Sequence, residues 1–419
     1  MKTLEQWLDY QLGVHARGID LGLERVAEVW RRLGQPQGPL NIIVGGTNGK
    51  GSTVAFLEAM LRAAGYRTGA YTSPHIDRYN ERVRIDGAMA DDAMLCAAFE
   101  RIEQARGELP LTYFEFGTLA ALLCFEQTQV DVALIEVGLG GRLDAANIVD
   151  ADVAIVTTVD LDHMDWLGND RDQIGREKAG IARAGRPVVI GEAEPPQGLL
   201  TALAERQAMV LRAGVDFHAE PATQGWVFQG VDGARLCLPA PHMQAPCQRA
   251  NAAAAITALQ ALAPRLACSP TALAEGVRSA QVVGRLQPLP GELAQVVDVA
   301  HNPQAARALA QWLDARATRG RVLAVFGALA DKDVPGVVQA LGERIDRWYL
   351  ADLAQATARG MAVDNLNRAL LRALPDARAS CFSDVISARE AALAAAQNDD
   401  LVLIFGSFFV ASQVLASPA

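Results

Sequence analysis

The sequence predicts an α/β protein with two domains, a larger one over residues 1–284 and a smaller one over residues 285–419. Three observations favour this class. A chain of 419 residues is too long to form a single core. Apolar runs of strand length alternate with amphipathic helical stretches, which is typical of parallel sheets covered by helices. Glycines and prolines interrupt the alternation over residues 282–293, which predicts a linker there.

The N-terminal domain is predicted to contain a mostly parallel sheet flanked by helices. Residues 40–46 (LNIIVGG) form an apolar run typical of a buried strand, and residues 51–65 have the pattern of the helix that follows it. Three further buried strands are predicted over residues 130–138, 151–160 and 186–192. The helices between them would cover both faces of the sheet.

The rest of the chain predicts a less regular segment and then a second, Rossmann-like α/β domain. Residues 225–230 suggest a short strand, and residues 248–266 a strong helix. After the linker the alternation of strands and helices restarts. The strands of this second domain are predicted over residues 294–300, 321–329, 346–353 and 401–410.

Composition narrows the class of protein. The formal net charge of -10 argues against a general nucleic-acid binder. The N-terminus has no apolar core of a signal peptide, and no apolar run reaches the length of a membrane span. The six cysteines are scattered without a Cys-x-x-Cys pair, which favours reduced thiols. We expect a cytoplasmic monomer that binds neither membranes nor nucleic acids.

A glycine-rich loop, GGTNGKGST (45–53), follows the first predicted strand. Its spacing departs from the usual phosphate-binding pattern, because three residues separate Gly45 from Gly49 and Gly51 separates Lys50 from Ser52. A phosphate at this position would still meet free backbone N–H groups and the positive end of a helix dipole. Lys50 would reach the outer phosphates, so the loop predicts a phosphate site rather than a simple turn.

Acidic residues and a histidine end the next two strands. Glu136 closes one strand beside the loop and is a natural Mg²⁺ ligand, although a solvated carboxylate is the alternative. Asp160, Asp162, His163 and Asp165 follow the next strand, and a histidine among carboxylates at this edge is either a metal ligand or a structural residue. Lys178 lies in the next predicted helix, and on the sequence alone it is interpreted as a solvated surface charge.

Other strand ends carry weaker candidates. Ser73 lies in a polar loop, where its hydroxyl is a hard oxygen ligand or part of a simple turn. In the second domain Asp298 ends a strand and can hold a ribose hydroxyl, with His301 in the next turn. Arg285 lies in the predicted linker, where it could swing onto a phosphate. Together these positions suggest a ligand held between the domains.

The motifs together resemble one family. In order they are GTNGKGS, TSPH, EVGLGGRLDAAN, DHMDWLG, REKAGI, the GR of residues 284–285, and DVAHNP. This combination resembles the folylpolyglutamate synthases, in the bacterial form that is also dihydrofolate synthase, within the Mur ligase superfamily. The matches run from about residue 20 to the C-terminus. One departure is Val299, where many relatives have glycine.

The resemblance implies an ATP-dependent amide ligase. A substrate carboxylate attacks the γ-phosphate of ATP to give an acyl phosphate and ADP, and the amine of L-glutamate then displaces phosphate. The acceptors would be dihydropteroate, tetrahydrofolate and its polyglutamates. Catalysis would rest on positioning and on charge neutralisation of the phosphoryl group.

The resemblance also assigns roles to residues. Catalytic roles fall on Lys50, His163, Lys178 and His301, and Lys178 matches a lysine that is carbamylated in the family. ATP contacts fall on Gly49, Lys50, Gly51, Ser52, Asn251, Arg285 and Asp298. Ligands of Mg²⁺, expected as two ions, fall on Ser73, Glu136 and His163. Dihydropteroate contacts fall on Leu21, Gly22, Leu23, Glu24, Thr112, Leu143, Asp144 and Ala145.

Two other kinds of protein share part of this pattern. A Mur-type ligase that acts on a UDP-linked precursor has the same phosphate loop, but it usually carries a further N-terminal domain. Here the loop begins about forty residues into the chain. A nucleotide-binding switch would bind ATP or GTP without ligase chemistry, and it needs no constellation of acid, histidine and lysine.

Overall fold

A computed structural model describes residues 2–36, 38–316 and 320–416. The chain divides into two units. The first comprises Met1–His242 and Arg249–Gln281, and the second comprises Met243–Gln248 and Val282–Ala419. The first unit ends at Gln281, close to the predicted boundary at 284/285. The sequence did not predict that the short segment 243–248 belongs to the second unit.

The first unit is built around an eight-stranded sheet with the strand order β4-β3-β2-β5-β1-β6-β7-β8. All neighbours pair in parallel except β3, which pairs antiparallel with both β2 and β4 at one edge. The strands are β1 Leu40–Gly45, β2 Thr68–Tyr71, β3 Val83–Ile85, β4 Ala88–Met89, β5 Val132–Glu136, β6 Val153–Val156, β7 Pro187–Ile190 and β8 Met209–Arg212.

Helices cover this sheet and enclose its main core. They are α1 Leu4–Val14, α2 Glu24–Arg32, α3 Lys50–Ala63, α4 Asp92–Arg106, α5 Tyr113–Thr128, α6 Met164–Leu167, α7 Arg171–Lys178, α8 Gln197–Glu205, α9 Gln248–Ala261 and α10 Pro270–Ser279. Short 3₁₀ helices span Tyr79–Arg82, Ala145–Ile148 and Ala179–Ile181. A separate antiparallel sheet contains β9 His218–Pro221, β10 Trp226–Gln229 and β11 Arg235–Leu238.

The second unit contains a six-stranded sheet with the order β12-β13-β17-β14-β15-β16, parallel except for β12. Its strands are β12 Gln287–Leu289, β13 Ala294–Val297, β14 Val322–Phe326, β15 Arg347–Ala351, β16 Ala379–Phe382 and β17 Leu401–Phe405. Its helices are α11 Pro303–Ala315, α12 Val334–Leu341, α13 Val363–Ala373, α14 Val385–Ala395 and α15 Phe408–Leu415, with a 3₁₀ turn at Gly342–Arg344.

The predicted fold class is confirmed, but one predicted element is wrong. Residues 401–410 do not form one strand, because β17 ends at Phe405 and α15 begins at Phe408. Ser407 marks the change: its hydroxyl accepts a hydrogen bond from the backbone N–H of Val410 (3.1 Å) and caps the new helix. The apolar run continues across this cap because the helix begins with apolar residues, of which Val410 and Ala411 are buried, so hydropathy alone does not reveal the change.

None of the helices in the described part of the chain has the length and apolar character that a membrane span requires.

Candidate active site

The glycine-rich loop connects β1 to α3 at the carboxyl edge of the sheet, between neighbouring strands β5 and β6. Gly49 caps α3 with a left-handed backbone (φ +87°), and a Cβ there would lie 2.6 Å from Oδ1 of Asn251. Asn251 is buried on α9, so the structure brings two predicted ATP contacts together. The open first turn of α3 presents backbone N–H groups suited to a phosphate.

Lys50 folds back over this loop. Its Nζ donates hydrogen bonds to the carbonyl oxygens of Gly46 (3.1 Å) and Thr47 (3.3 Å). Its ammonium group therefore lies among the backbone groups that would surround a phosphate. Ser52 is buried at the start of α3, one residue beyond Gly51.

Hydrogen bonds from the two threonines after β6 hold the phosphate loop at Thr47 and Asn48, and the sequence analysis did not predict this brace. The Thr157 hydroxyl donates to the Asn48 carbonyl (2.6 Å), and the Thr158 hydroxyl accepts from the Asn48 N–H (3.1 Å). The backbone N–H of Thr47 also donates to the Thr158 carbonyl (2.8 Å). The signal in the sequence was the pair of threonines directly after β6, which hydroxyl chemistry suits for bonding a neighbouring loop.

Glu136 and Ser73 meet beside the phosphate loop. The backbone N–H of Ser73 donates to Oε2 of Glu136 (3.1 Å), which ends β5 and is buried. A Cβ on Gly51 would lie 3.6 Å from the same carboxylate oxygen. Two predicted metal ligands and the start of α3 therefore lie together at the carboxyl ends of adjacent parallel strands.

His163 lies in the loop after β6, where it precedes α6 with a left-handed backbone (φ 51°). Its Nε2 lies 4.0 Å from Oδ2 of Asp162. Within residues 2–36, 38–316 and 320–416, no group of three or more His, Cys, Asp or Glu side chains is arranged to hold a metal. The joint metal role of Ser73, Glu136 and His163 stays a prediction.

Lys178 is not the solvated charge that its helical position suggested. It ends α7 with only 3% of its surface exposed. Burial and the positive charge of Lys50 lower its pKa to about 7, although neighbouring carboxylates act in the opposite direction. Those carboxylates belong to Asp162, Asp144 and Glu192. The first interpretation failed because helical periodicity does not reveal which helix end packs under a neighbouring loop.

Asp144 is buried and held by backbone groups. Its carboxylate accepts hydrogen bonds from the N–H groups of Leu139 (2.8 Å) and Ala146 (2.9 Å). Burial raises its pKa to about 6, although these amides and the charge of Lys50 oppose the rise. Leu143 and Ala145 flank it, so the predicted dihydropteroate segment is a fixed loop at the carboxyl edge of the sheet.

The other predicted dihydropteroate residues lie on helices packed near that loop. Thr112 caps α5 and is buried, with its hydroxyl accepting from the Glu115 N–H (3.2 Å). Arg25 follows the segment Leu21–Glu24 and lies 3.3 Å from Oε1 of Glu115. Helix α2 contacts both α5 and the 3₁₀ helix after Asp144. The structure thus brings the three predicted segments into one neighbourhood.

In the second unit, both carboxylate oxygens of Asp298 accept backbone hydrogen bonds, from Leu286 and Ala300 (2.8 Å each). Burial raises the pKa of Asp298, and the charge of Arg285 opposes this rise. Arg285 lies over the ring of Phe408, with Cζ 5.5 Å from its centroid. Nδ1 of His301 lies 2.9 Å from the Val299 carbonyl oxygen. These residues form one cluster at the start of α11.

Comparison with known proteins matches this architecture. The family profile of the Mur ligase middle domain matches residues 44–225, and that of the Mur ligase, glutamate ligase domain matches residues 284–408. Dihydrofolate synthase/folylpolyglutamate synthase of Escherichia coli (strain K12) is 45% identical over 413 residues, covering 98% of this chain and 94% of that protein.

Solved structures agree. The structure of E. coli FolC in complex with DHPP and ADP has a TM-score of 0.93 at 44% identity, covering 99% of this chain and 97% of that one. A bifunctional folylpolyglutamate synthase/dihydrofolate synthase with Mn, AMPPNP and L-glutamate bound has a TM-score of 0.90 at 44% identity, covering 99% and 98%. On its domains, its fold and its sequence, this chain belongs to the family of bifunctional dihydrofolate synthases/folylpolyglutamate synthases in the Mur ligase superfamily.

Proposed function

We propose that this chain is an ATP-dependent ligase that adds L-glutamate to dihydropteroate and to the γ-carboxyl group of tetrahydrofolate glutamates. The observation that carries the proposal is that the phosphate loop, a carboxylate and a buried amine lie together at one edge of the sheet. There the loop of Gly49 and Lys50, the carboxylate of Glu136 and the buried amine of Lys178 lie beside one another. E. coli FolC with DHPP and ADP, and the relative with AMPPNP and L-glutamate, support the same substrates here.

The loop would hold the ATP phosphates. The backbone N–H groups from Gly49 to Ser52 and the ammonium group of Lys50 offset the phosphate charge. The acceptor carboxylate attacks the γ-phosphorus, the bond to the β,γ-bridging oxygen breaks, and ADP leaves. The glutamate amine then attacks the acyl carbon, loses a proton and expels phosphate. The protein contributes positioning and charge neutralisation to both steps.

The oxygen donors at this edge fit a divalent cation of the Mg²⁺ type. Glu136 offers a carboxylate and Ser73 a hydroxyl within one hydrogen-bonded pair, and hard oxygens are the ligands that Mg²⁺ prefers. We assign His163 as a further ligand, and we expect two ions. Bound Mg²⁺ would neutralise charge on the phosphates. The relative solved with Mn bound supports the binding of a divalent metal.

We propose that Lys178 is carbamylated. CO₂ reacts with a neutral amine, and a pKa of about 7 leaves a large neutral fraction at physiological pH. The product is an anion beside the ammonium group of Lys50, which relieves the repulsion that lowers the lysine pKa. The new carboxylate could then accompany a metal ion.

The remaining site residues divide by substrate. We assign dihydropteroate to the neighbourhood of Leu21–Glu24, Thr112 and Leu143–Ala145. We assign nucleotide contacts to Asn251, Arg285 and Asp298. His301 would act on the reacting groups. Free thiols at all six cysteines suit a reducing compartment, so we place the enzyme in the cytoplasm. We further propose that it acts as a monomer.

The test is a coupled assay of ADP release. The purified chain receives ATP, Mg²⁺ and L-glutamate, with dihydropteroate in one series and tetrahydrofolate in another. Turnover with both acceptors is expected. No turnover with either would overturn the proposal, and turnover with tetrahydrofolate alone would remove the dihydrofolate synthase activity. A UDP-muramoyl acceptor serves as the control for the Mur-type alternative and should give no ADP.

A further inference from the structure

Arg82 is a partly buried cation that forms no ion pair with any aspartate or glutamate in the described part of the chain. Two other arginines of the same segment differ from it. Arg84 lies 2.9 Å from Oε2 of Glu58, and Arg78 lies 3.9 Å from Oδ1 of Asp92. A guanidinium removed from water without a counter-ion is costly. An arginine kept in this position without a counter-ion suggests that it binds an anionic group of a ligand.

The guanidinium of Arg82 is held in a fixed orientation. Its Nε–H donates to Nδ1 of His75 (2.8 Å), and its Cζ lies 5.5 Å from the ring centroids of Tyr79 and Tyr113. Because Nδ1 of His75 accepts this bond, the histidine does not neutralise the arginine. The Nη groups make no hydrogen bond within the described residues. They offer the paired donors that suit a carboxylate.

The location of Arg82 connects two parts of the site. Its backbone carbonyl accepts a hydrogen bond from the N–H of Thr72 (2.9 Å), the residue before Ser73. Its ring partner Tyr113 is the residue after Thr112. The guanidinium itself contacts His75, two residues after Ser73, and Tyr113, so it lies beside both the predicted metal edge and the predicted dihydropteroate neighbourhood, where the acceptor's carboxyl end would extend.

The two acceptors differ in how many carboxylates they carry near the reacting end. Dihydropteroate carries one, which reacts. A folate glutamate carries two, and when its γ-carboxylate reacts its α-carboxylate is left close by on the same side chain. Resting on the proposed function, we propose that Arg82 binds the α-carboxylate of the terminal glutamate and so acts as a specificity residue for polyglutamylation. Dihydrofolate synthesis does not use this contact.

The test compares two variants in both reactions. Arg82→Met removes the charge, and Arg78→Met is the matched control, an exposed arginine on the same segment. For Arg82→Met, kcat/KM for tetrahydrofolate should fall about 10- to 100-fold, mainly through KM, since a charge-assisted contact is lost. Its kcat/KM for dihydropteroate should change less than about threefold. Arg78→Met should match wild type in both reactions.

A substrate analogue separates binding from a structural effect. Tetrahydropteroyl-4-aminobutyrate keeps the reacting carboxylate and lacks the α-carboxylate. Wild type should use it about as poorly as Arg82→Met uses tetrahydrofolate, and the variant should show no further loss. If Arg82→Met does not fold, Arg82→Lys keeps the charge and should show an intermediate KM for tetrahydrofolate. An equal loss of kcat/KM with both acceptors would overturn the inference. So would an Arg82→Met variant that prefers tetrahydrofolate over the analogue as strongly as wild type does. Neither result would contradict the proposed function.

Discussion

Gly49 combines a backbone angle and a close neighbour that only glycine accommodates. We predict that Gly49→Ala raises KM for ATP about tenfold or more, because its Cβ would displace Asn251 and reshape the phosphate loop. Gly65→Ala is the matched control, since Gly65 has a similar φ of +89° and no described residue has an atom within 4 Å of its added Cβ. It should cost about 1 kcal/mol of stability and leave KM unchanged. Unaltered ATP kinetics in Gly49→Ala would contradict the role of this glycine.

Lys178 and Lys50 are neighbouring lysines with opposite proposed charges. We predict that Lys178→Ala lowers kcat at least about 100-fold, because the site loses the carboxylate that carbamylation would supply. Added acetate should restore part of the activity. Lys50→Ala should lose activity as well, but acetate should not restore it, since its role requires a cation. Steady-state ADP release measures both, and full activity of Lys178→Ala would return this residue to a merely structural role.

At the scale of elements, the phosphate loop depends on hydrogen bonds from the end of β6. We predict that Thr157→Val costs about 1–3 kcal/mol of unfolding free energy and raises KM for ATP, because the Asn48 carbonyl loses the shorter of its two hydroxyl donors and keeps only the Thr158 hydroxyl at 3.3 Å. Thr257→Val is the control, a buried threonine in α9 whose hydroxyl donates to the Ala253 carbonyl within its own helix (2.8 Å). Its KM for ATP should equal that of wild type. Urea unfolding and ATP titration give the two quantities.

The elements were largely predictable from sequence where burial alternates with turns. Strands β1, β5, β6 and β7 and helix α3 lie within their predicted ranges to a few residues. The change from β17 to α15 was not predictable, because apolar residues continue on both sides of Ser407. Only the hydrogen bond from the Val410 N–H to the Ser407 hydroxyl marks the boundary. The edge strand β8 was not predicted: its apolar run is only three residues long, and its side chains are exposed or half-buried.

At the scale of the site, sequence predicted which strand ends carry the polar groups, because parallel strands expose their carboxyl ends at one edge. It did not predict the burial of Lys178, or that Arg82 has no counter-ion among residues 2–36, 38–316 and 320–416. Both depend on which residues from distant segments pack around a side chain. The brace of Thr157 was missed for the same reason, since its partner Asn48 lies 109 residues away.

At the scale of the whole molecule, Lys178 makes unfolding depend on pH in a defined direction. Its pKa is about 7 in the folded chain and near 10.5 without the fold. Between these values the unfolded chain binds more protons, so the free energy of unfolding rises with pH and the destabilisation is complete below about pH 7. We predict that this slope is smaller in Lys178→Met. Urea midpoints at pH 7 and pH 9.5 in CO₂-free buffer measure it, and parallel slopes would contradict it.

The first unit is discontinuous in the chain, and this constrains its synthesis. The strand and loop of the phosphate site are complete by residue 63, yet α9 and α10 come from Arg249–Gln281, after the chain has visited the second unit. Helix α10 packs against α3, and Asn251 of α9 contacts the loop at Gly49. A nascent chain that has not reached Ser279 therefore has the face of α3 that packs on the sheet but lacks the helix that covers its other side. A chain truncated before Arg249 lacks Asn251 and α10, and with them a complete phosphate loop.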